Sequence, residues 1–168
     1  MSLNREEIVN QLVAILSAEQ VITDPDVLKE SSIDRFRRYE GFHGIFSKPF
    51  PAAVVYAHSA EEVSDVLKFA NQHGINVVPR TGQSATEGGL ETAVENSIVL
   101  DGSKMNKIIK IDPYNLQATA QCGVPLQVLD DQLRMQGYTT GHSPQSKPLA
   151  QLGGLVATRS IGQLSTLY

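Results

Sequence analysis

The chain has 168 residues, 41% of them hydrophobic, which suits one domain with a real core and excludes a disordered segment. Fourteen basic against eighteen acidic residues give a net charge of −4, and the longest basic cluster, Arg35-Phe36-Arg37-Arg38, is too short to mark a nucleic-acid partner. No apolar run approaches the ~18 residues of a membrane span and no signal peptide is visible, so a cytoplasmic location is expected.

In chain order, Asn4 to Ala18 reads as an amphipathic helix: Ile8, Leu12, Ile15 and Leu16 share one face. Asn4 with Glu7 forms a capping box at its start. Thr23-Asp24-Pro25-Asp26 opens a short second helix. Residues 31–50 show no period and are expected to be an extended or looped lead-in, with Phe36, Tyr39, Phe42, Phe46 and Phe50 packed against the domain. Ala52 to Ala57 is a β-rich apolar run. Ser59 and Glu62 make another capping box, before an apolar stripe of Val63, Val66, Leu67 and Ala70. Gly74 closes that helix at the position where a left-handed residue is favoured. Ile75 to Val78 is then a strand, so residues 51–79 form a β-α-β unit with an expected parallel pair.

Further strands are predicted over Ser97 to Asp101, Lys107 to Ile111 and Leu116 to Gln121, with a turn at Asp112-Pro113. Cys122 follows the last of them. As the lone cysteine it allows no intramolecular disulfide, and it reads as a buried structural thiol. Pro125 starts a helix carrying Leu126, Leu129, Leu133 and Met135, which stops before Gly137. Residues 138–148 are loop-like, and Leu149 to Tyr168 is a small, apolar, glycine-bearing stretch. His43, His58 and His73 lack metal-ligand spacing, so no metal site is expected.

Two stretches carry chemistry. The first is the loop Pro79-Arg80-Thr81-Gly82-Gln83-Ser84-Ala85-Thr86-Glu87-Gly88-Gly89. A diphosphate is often bound by successive backbone N–H groups at a strand end, arranged as a concave nest. Close approach needs small residues, and Thr81, Gly82, Ser84, Ala85, Gly88 and Gly89 qualify. The hydroxyls are further donors, and Arg80 can add a charge-assisted bond. An ordinary surface turn has the same composition, and the loop matches neither G-x-G-x-x-G nor G-x-x-x-x-G-K-[ST]. The second stretch runs Gly141-His142-Ser143-Pro144-Gln145-Ser146, then Leu152-Gly153-Gly154-Leu155-Val156-Ala157-Thr158-Arg159-Ser160-Ile161-Gly162, and ends at Tyr168. It offers a glycine pair for close backbone approach and a Thr-Arg-Ser cluster of donors. Alone, it reads more readily as a tightly packed small-residue helix with a surface arginine.

The two stretches in this order resemble the FAD-binding domain of vanillyl-alcohol-oxidase-type flavoproteins, also called the PCMH-type domain. There the loop commonly reads P-R/I-G-G-G-T-S-x-x-G-G, and G-H-x-P-D-S leads into x-x-G-G-x-x-A-T-R-x-x-G. Pro79-Arg80, Gly82, Ser84 and Gly88-Gly89 are in register, whereas Thr81 and Gln83 stand at usual glycines and Ala85 at a usual serine. A long Gln83 side chain must point away from a diphosphate. Gln145 replaces the usual acidic residue. The resemblance covers roughly residues 50–168 and implies an α+β fold: the first βαβ-containing subdomain plus part of the second.

Residues 1–50 are then an N-terminal helical lead-in, and 51–168 an FAD-binding domain incomplete at its C-terminus. The resemblance implies FAD held by Pro79 to Ala85 with Gly88 and Gly89, by the stretch Gln145 to Leu152 with Pro144, Ser146, Gly153 and Gly154, and by Thr158, Arg159 and Ser160. It also implies an FAD-linked oxidase or dehydrogenase passing hydride from a 2-hydroxy acid, such as D-lactate or glycolate, to flavin N5, with Arg159 the candidate catalytic residue. The partners implied are a small-molecule substrate and either a second copy or an electron-transfer protein. Thr158 to Gln163 looks closer to an alkylglycerone-phosphate-synthase-like branch, whose flavin chemistry is a transfer without net redox change. A non-catalytic α/β binding module is the third alternative. His142 reads as a hydrogen-bonded loop histidine rather than a covalent flavin link.

Overall fold

The computed structural model describes residues 3–45 and 47–166; Phe46 and Tyr168, named above, lie outside them. Helix α1 (Arg5–Ile15) begins on the expected capping box: Glu7 N donates to Asn4 Oδ1 at 3.0 Å and Asn4 N to Glu7 Oε2 at 2.8 Å. Strand β1 (Val21–Ile22) follows, then α2 (Pro25–Ser31), capped by Asp24. The lead-in departs from expectation. It forms a 3-10 turn at Arg35–Arg37 and a short helix α3 (Arg38–Phe42). Its aromatics face outward, with Phe36 68%, Tyr39 70% and Phe42 83% exposed. The segment meets the domain through its polar residues instead: Ser31, Ser32 and Asp34 are buried and hydrogen-bonded.

Strand β2 (Ala53–Tyr56), helix α4 (Ala60–His73), strand β3 (Val77–Arg80) and strand β4 (Ile98–Asp101) complete the first half. Sheet order is β1-β2-β4-β3. The expected β2–β3 pair is therefore corrected: each pairs in parallel with β4, which lies between them. Every residue of β4 is buried, and a strand with both faces and both edges covered takes the centre of a parallel sheet. Strand alternation divides the core. Ala53, Val55, Ile98 and Leu100 meet Ile8, Leu12, Val66 and Phe69 of α1 and α4, while Val54, Val99 and Val78 meet Leu28 of α2. Each fully buried aliphatic side chain stabilises by ~1.5–3 kcal/mol relative to exposure.

Helix α4 ends on Gly74 at φ +64°, as expected. Its capping box is only half formed. Ser59 Oγ accepts from Glu62 N, but the Glu62 carboxylate turns to His58 N and to Gln20 Nε2. Phe69, rather than the 45% exposed Leu67, faces the core.

The second half is a hairpin of β5 (Ile108–Asp112) and β6 (Gln117–Ala120), then α5 (Leu126–Arg134) and α6 (Leu152–Ala157). Leu116 is in the turn at φ +54°, so β6 starts one residue later than predicted. The strand also stops before Cys122, which is half-buried rather than buried. Val124, Leu129 and Leu133 form a separate small core under the hairpin.

Candidate cofactor site

The site is assembled where the chain leaves β3. Arg80 faces Asp101 across the β3–β4 pair. Both are buried, with Arg80 Nε donating to Asp101 Oδ2 at 2.6 Å and Nη1 to Ser31 Oγ at 2.7 Å. Asp101 Oδ1 accepts from Ser103 N at 2.8 Å, and Gly102 N donates to Arg80 O at 2.9 Å. Two guanidinium nitrogens are thus committed to the protein. Arg80 knits the base of the loop to β4 and α2.

Glycines then let four chain segments converge. A Cβ on Gly82 would stand 2.3 Å from Leu149 O and 2.9 Å from Gln151 N, so only glycine fits. A Cβ on Gly153 would meet Cys122 Cβ at 2.8 Å, and Gly153 N donates to Cys122 O at 2.8 Å. Gly123 packs on Gly102 O, where a Cβ would be 2.4 Å away. The Thr81 side chain lies between Gly102 and Gly154. Burial pushes the Cys122 thiol up from its ordinary pKa, so it fills space here as the neutral form. The two stretches singled out in the sequence therefore meet, Thr81 and Gly82 against Leu149 to Gly154. Gly102 and Gly123 were missed; the signal for each was a glycine one or a few residues after a strand.

Beyond Gly82, the amides of Gly82 to Glu87 have no acceptor among the described residues, nor do the hydroxyls of Thr81 and Ser84 have a partner. Successive unpaired N–H groups in a loop whose base is fixed suit the oxygens of a diphosphate. Gln83 stands at φ +51°, and its Oε1 accepts from Arg38 Nη2 at 3.1 Å. The lead-in holds the far end of the loop as well. Gly88 N donates to buried Asp34, Lys48 pairs with Glu91 at 2.9 Å, and Thr92 N donates to Ser32 O at 3.0 Å. Gly89 is open to space: a Cβ there would meet nothing within 4 Å.

In the second stretch, Gln163 N donates to Ser143 O, and Gly162 packs where a Cβ would be 2.6 Å from Ser143 C. His142 Nε2 is 3.3 Å from Ser160 Oγ, which fits a hydrogen-bonded loop histidine. Thr158 Oγ1 donates to Gly154 O at 2.8 Å, so that hydroxyl is used within α6. Arg159 is exposed at φ +48°, with no ion-pair partner among the described residues. It shares with His142, Leu126 and Leu155 a cleft of about 290 Å³. A larger cleft of about 600 Å³ lies between α1 and α4, remote from both stretches.

Pro144, Gln145 and Ser146 form a turn, with Lys147 N donating to Pro144 O and Ala150 N to Ser146 O. Asp130 of α5, which sequence reasoning passed over, binds this segment through Thr139, Thr140 and Lys147. Gln151 Oε1 is buried without a partner. An orphaned buried acceptor calls for a donor, such as a hydroxyl or ring N–H of a bound molecule. The glycine cradle, the free amides and this acceptor fit a dinucleotide carrying a diphosphate, hydroxyls and N–H groups.

No helix among the described residues is long and apolar enough to cross a membrane. A family described as FAD binding domain matches residues 51–168. The uncharacterised FAD-linked oxidoreductase YgcU of Escherichia coli is 70% identical over 168 residues, all of this chain and 35% of that protein. The mitochondrial D-lactate dehydrogenase [cytochrome] 1 of Saccharomyces cerevisiae is 37% identical over 120 residues, 70% of this chain and 20% of that one. A solved alkyldihydroxyacetonephosphate synthase superposes with a TM-score of 0.88 at 27% identity, covering 99% of this chain and 31% of its own. The chain thus spans about a third or less of the length of these relatives. It belongs to the FAD binding domain family, with the α+β fold of the PCMH type, and its cofactor is FAD.

Proposed function

We propose that this chain is the cofactor-holding part of an FAD-linked oxidoreductase acting on a 2-hydroxy acid such as D-lactate or glycolate. The run of free amides from Gly82 to Glu87, fixed at its base by the Gly82 contact with Leu149 to Gln151, carries the cofactor side of the reading. The likeness to a D-lactate dehydrogenase supports the substrate class. When bound, FAD would supply the two-electron acceptor that oxidation of a 2-hydroxy acid requires.

The chain's own residues bind and orient. Thr81 to Ala85 hold the diphosphate by backbone N–H and hydroxyl groups. Pro79 and Arg80 set where that loop leaves the sheet, and Gly88 and Gly89 turn its far end. Pro144, Gln145, Ser146 and Leu152 to Gly154 form the opposite wall. Arg159 and Ser160 border the cleft beside His142, Thr158 precedes them, and the Arg159 guanidinium, without an ion-pair partner among the described residues, suits a carboxylate. A cytochrome or similar carrier, or a second copy, is a partner compatible with that chemistry.

Anaerobic titration with D-lactate and glycolate of the FAD-loaded enzyme in which this chain is the cofactor-holding part tests this reading; the chain alone is expected to be inactive. Bleaching of the flavin absorbance is expected. The 0.88 TM-score to an alkyldihydroxyacetonephosphate synthase favours a second reading, a flavin-dependent transferase. A flavin that stays oxidised with every 2-hydroxy acid would overturn the first reading in favour of the second. Arg159→Ala should lower turnover or release FAD, and an unchanged enzyme removes Arg159 from the mechanism.

A further inference from the structure

Asp130 lies on α5, outside both stretches that bear the expected cofactor contacts, and its side chain is fully buried. Its Oδ1 accepts from Thr139 Oγ1 at 2.7 Å, Thr140 N at 3.0 Å and Thr140 Oγ1 at 3.3 Å. Its Oδ2 accepts from Arg134 Nε and Lys147 Nζ, each at 2.6 Å. Burial alone would raise its pKa. The bonds from Lys147, Thr139, Arg134 and Thr140 outweigh that and hold the carboxyl well below the usual range.

The origin of these donors matters more than their number. Thr139 and Thr140 sit where the chain enters the loop after α5, and Lys147 sits where it leaves. Between them run Gly141, His142, Ser143, Pro144, Gln145 and Ser146. One carboxylate therefore clamps both ends of the segment. The two cations differ: the Arg134 side chain is 62% exposed and belongs to the same helix as Asp130, whereas that of Lys147 is 16% exposed and reaches across from the loop. Arg134 neutralises charge; Lys147 carries the loop.

We infer that Asp130 is a positioning residue for FAD, fixing the placement of Pro144-Gln145-Ser146 through its joint grip on Thr139-Thr140 and Lys147 without touching the cofactor. The inference rests on the assignment of that segment to the FAD site. Losing one end of the clamp leaves the Pro144-Gln145-Ser146 end of the loop to its own turn bonds, with outside support only at Ser143 and His142, and more of its ordering then falls to the cofactor. Asn at position 130 keeps one acceptor but turns a donor toward Lys147 or the threonines, so it cannot replace the carboxylate.

The test compares Asp130→Asn, Lys147→Gln, Lys147→Arg and Arg134→Gln in the full FAD-binding chain. FAD affinity is read from quenching of flavin fluorescence, loop placement from the visible circular dichroism of bound flavin, and stability from the melting of the apoprotein. Asp130→Asn and Lys147→Gln are expected to weaken FAD binding about tenfold, ~1.4 kcal/mol, with an altered flavin dichroism. Lys147→Arg should restore both, and Arg134→Gln should leave both as in wild type. If Asp130→Asn does not fold, the Lys147 pair decides. Wild-type affinity and dichroism in Lys147→Gln overturns the inference, as does an Arg134→Gln defect equal to that of Lys147→Gln. A wild-type protein that binds no FAD would instead overturn the cofactor assignment.

Discussion

In the four-stranded sheet, β4 is buried along its whole length, with Leu28 packed over one face and Ile8, Leu12 and Val66 over the other. In the β5–β6 hairpin, Gln117, Ala118 and Thr119 are exposed, and only Val124, Leu129 and Leu133 form a buried cluster beneath it. The first half is a stiff apolar platform, and the cofactor loop grows from the end of its third strand. The second half gets its shape from hydrogen bonds and glycine contacts, above all the Asp130 clamp and the close passes at Gly82, Gly123, Gly153 and Gly162. Damage should therefore take different forms in the two halves: unpaired charge and lost volume in one, added atoms and lost acceptors in the other.

The largest effect is expected at the platform's polar seam. Asp101→Ala leaves the Arg80 guanidinium buried with only Ser31 for a partner, and should cost about 3–5 kcal/mol of stability in denaturant unfolding. The double change Arg80→Met with Asp101→Leu should recover most of it, because an apolar pair does not need the ion pair's compensation. A single mutant within ~1 kcal/mol of wild type would mean that the seam is solvated and that the platform is less rigid than its burial implies.

Next comes the junction between the halves. At Gly82 an added methyl meets backbone, which cannot swing aside, so Gly82→Ala should cost ~1–3 kcal/mol and strip the protein of flavin. Gly89→Ala is the control: its Cβ meets nothing, and the change should stay within ~0.5 kcal/mol with flavin retained. Equal behaviour of the two variants would dissolve the distinction between a packed junction and an open loop.

The third expectation is a pH effect confined to the second half. The folded pKa of Asp130 is depressed, so its contribution is complete above the unfolded carboxylate value of about 3.9 and drains as pH falls below it toward the lower folded value. Asp130→Asn should flatten that acid limb of the stability curve, with little change in its slope near neutrality. A limb equally steep in the variant would assign the acid sensitivity to other carboxylates.

These contrasts also explain what could be read from the residues alone. The Asn4–Glu7 box, the Gly74 stop and the strand at Val77 are local: each follows from side chains a few positions apart. The place of β4 between β2 and β3 is not local. It depends on which strand can be buried on both faces and both edges, a matter of competition among segments whose paired residues are 21 and 45 positions apart. The outward aromatics of the lead-in misled for a related reason. Rings usually seek burial, but here Ser31, Ser32 and Asp34 met Arg80, Thr92 and Gly88 and took the inner positions. The convergence of the two glycine-bearing stretches could be anticipated only by resemblance, since neither contains a periodic signal. Asp130 offered only its i,i+4 spacing to Arg134, an ordinary helix-surface pair, because its other partners arrive from a loop.

The smallest expected effect bears on the one place where the loop departs from its family's glycine pattern and the platform's lead-in reaches the loop. Gln83 stands in the left-handed region, where a residue with a Cβ bears ~1–2 kcal/mol of strain that glycine does not. Gln83→Gly relieves it, but glycine also loosens the unfolded chain by ~0.4–1 kcal/mol. The exposed bond from Arg38 adds at most ~0.5–1.5 kcal/mol to what is lost. These terms nearly cancel, so stability should stay within ~1 kcal/mol of wild type. Cofactor affinity separates the alternatives more sharply than stability does. If the Arg38–Gln83 bond merely accommodates a long side chain turned from the diphosphate, Gln83→Gly keeps or slightly improves FAD affinity, and Arg38→Ala leaves it unchanged. If both variants weaken FAD equally, the bond is a strap. The lead-in would then hold the cofactor loop at its middle, Gln83, as well as at its base, Arg80, and its far end, Gly88.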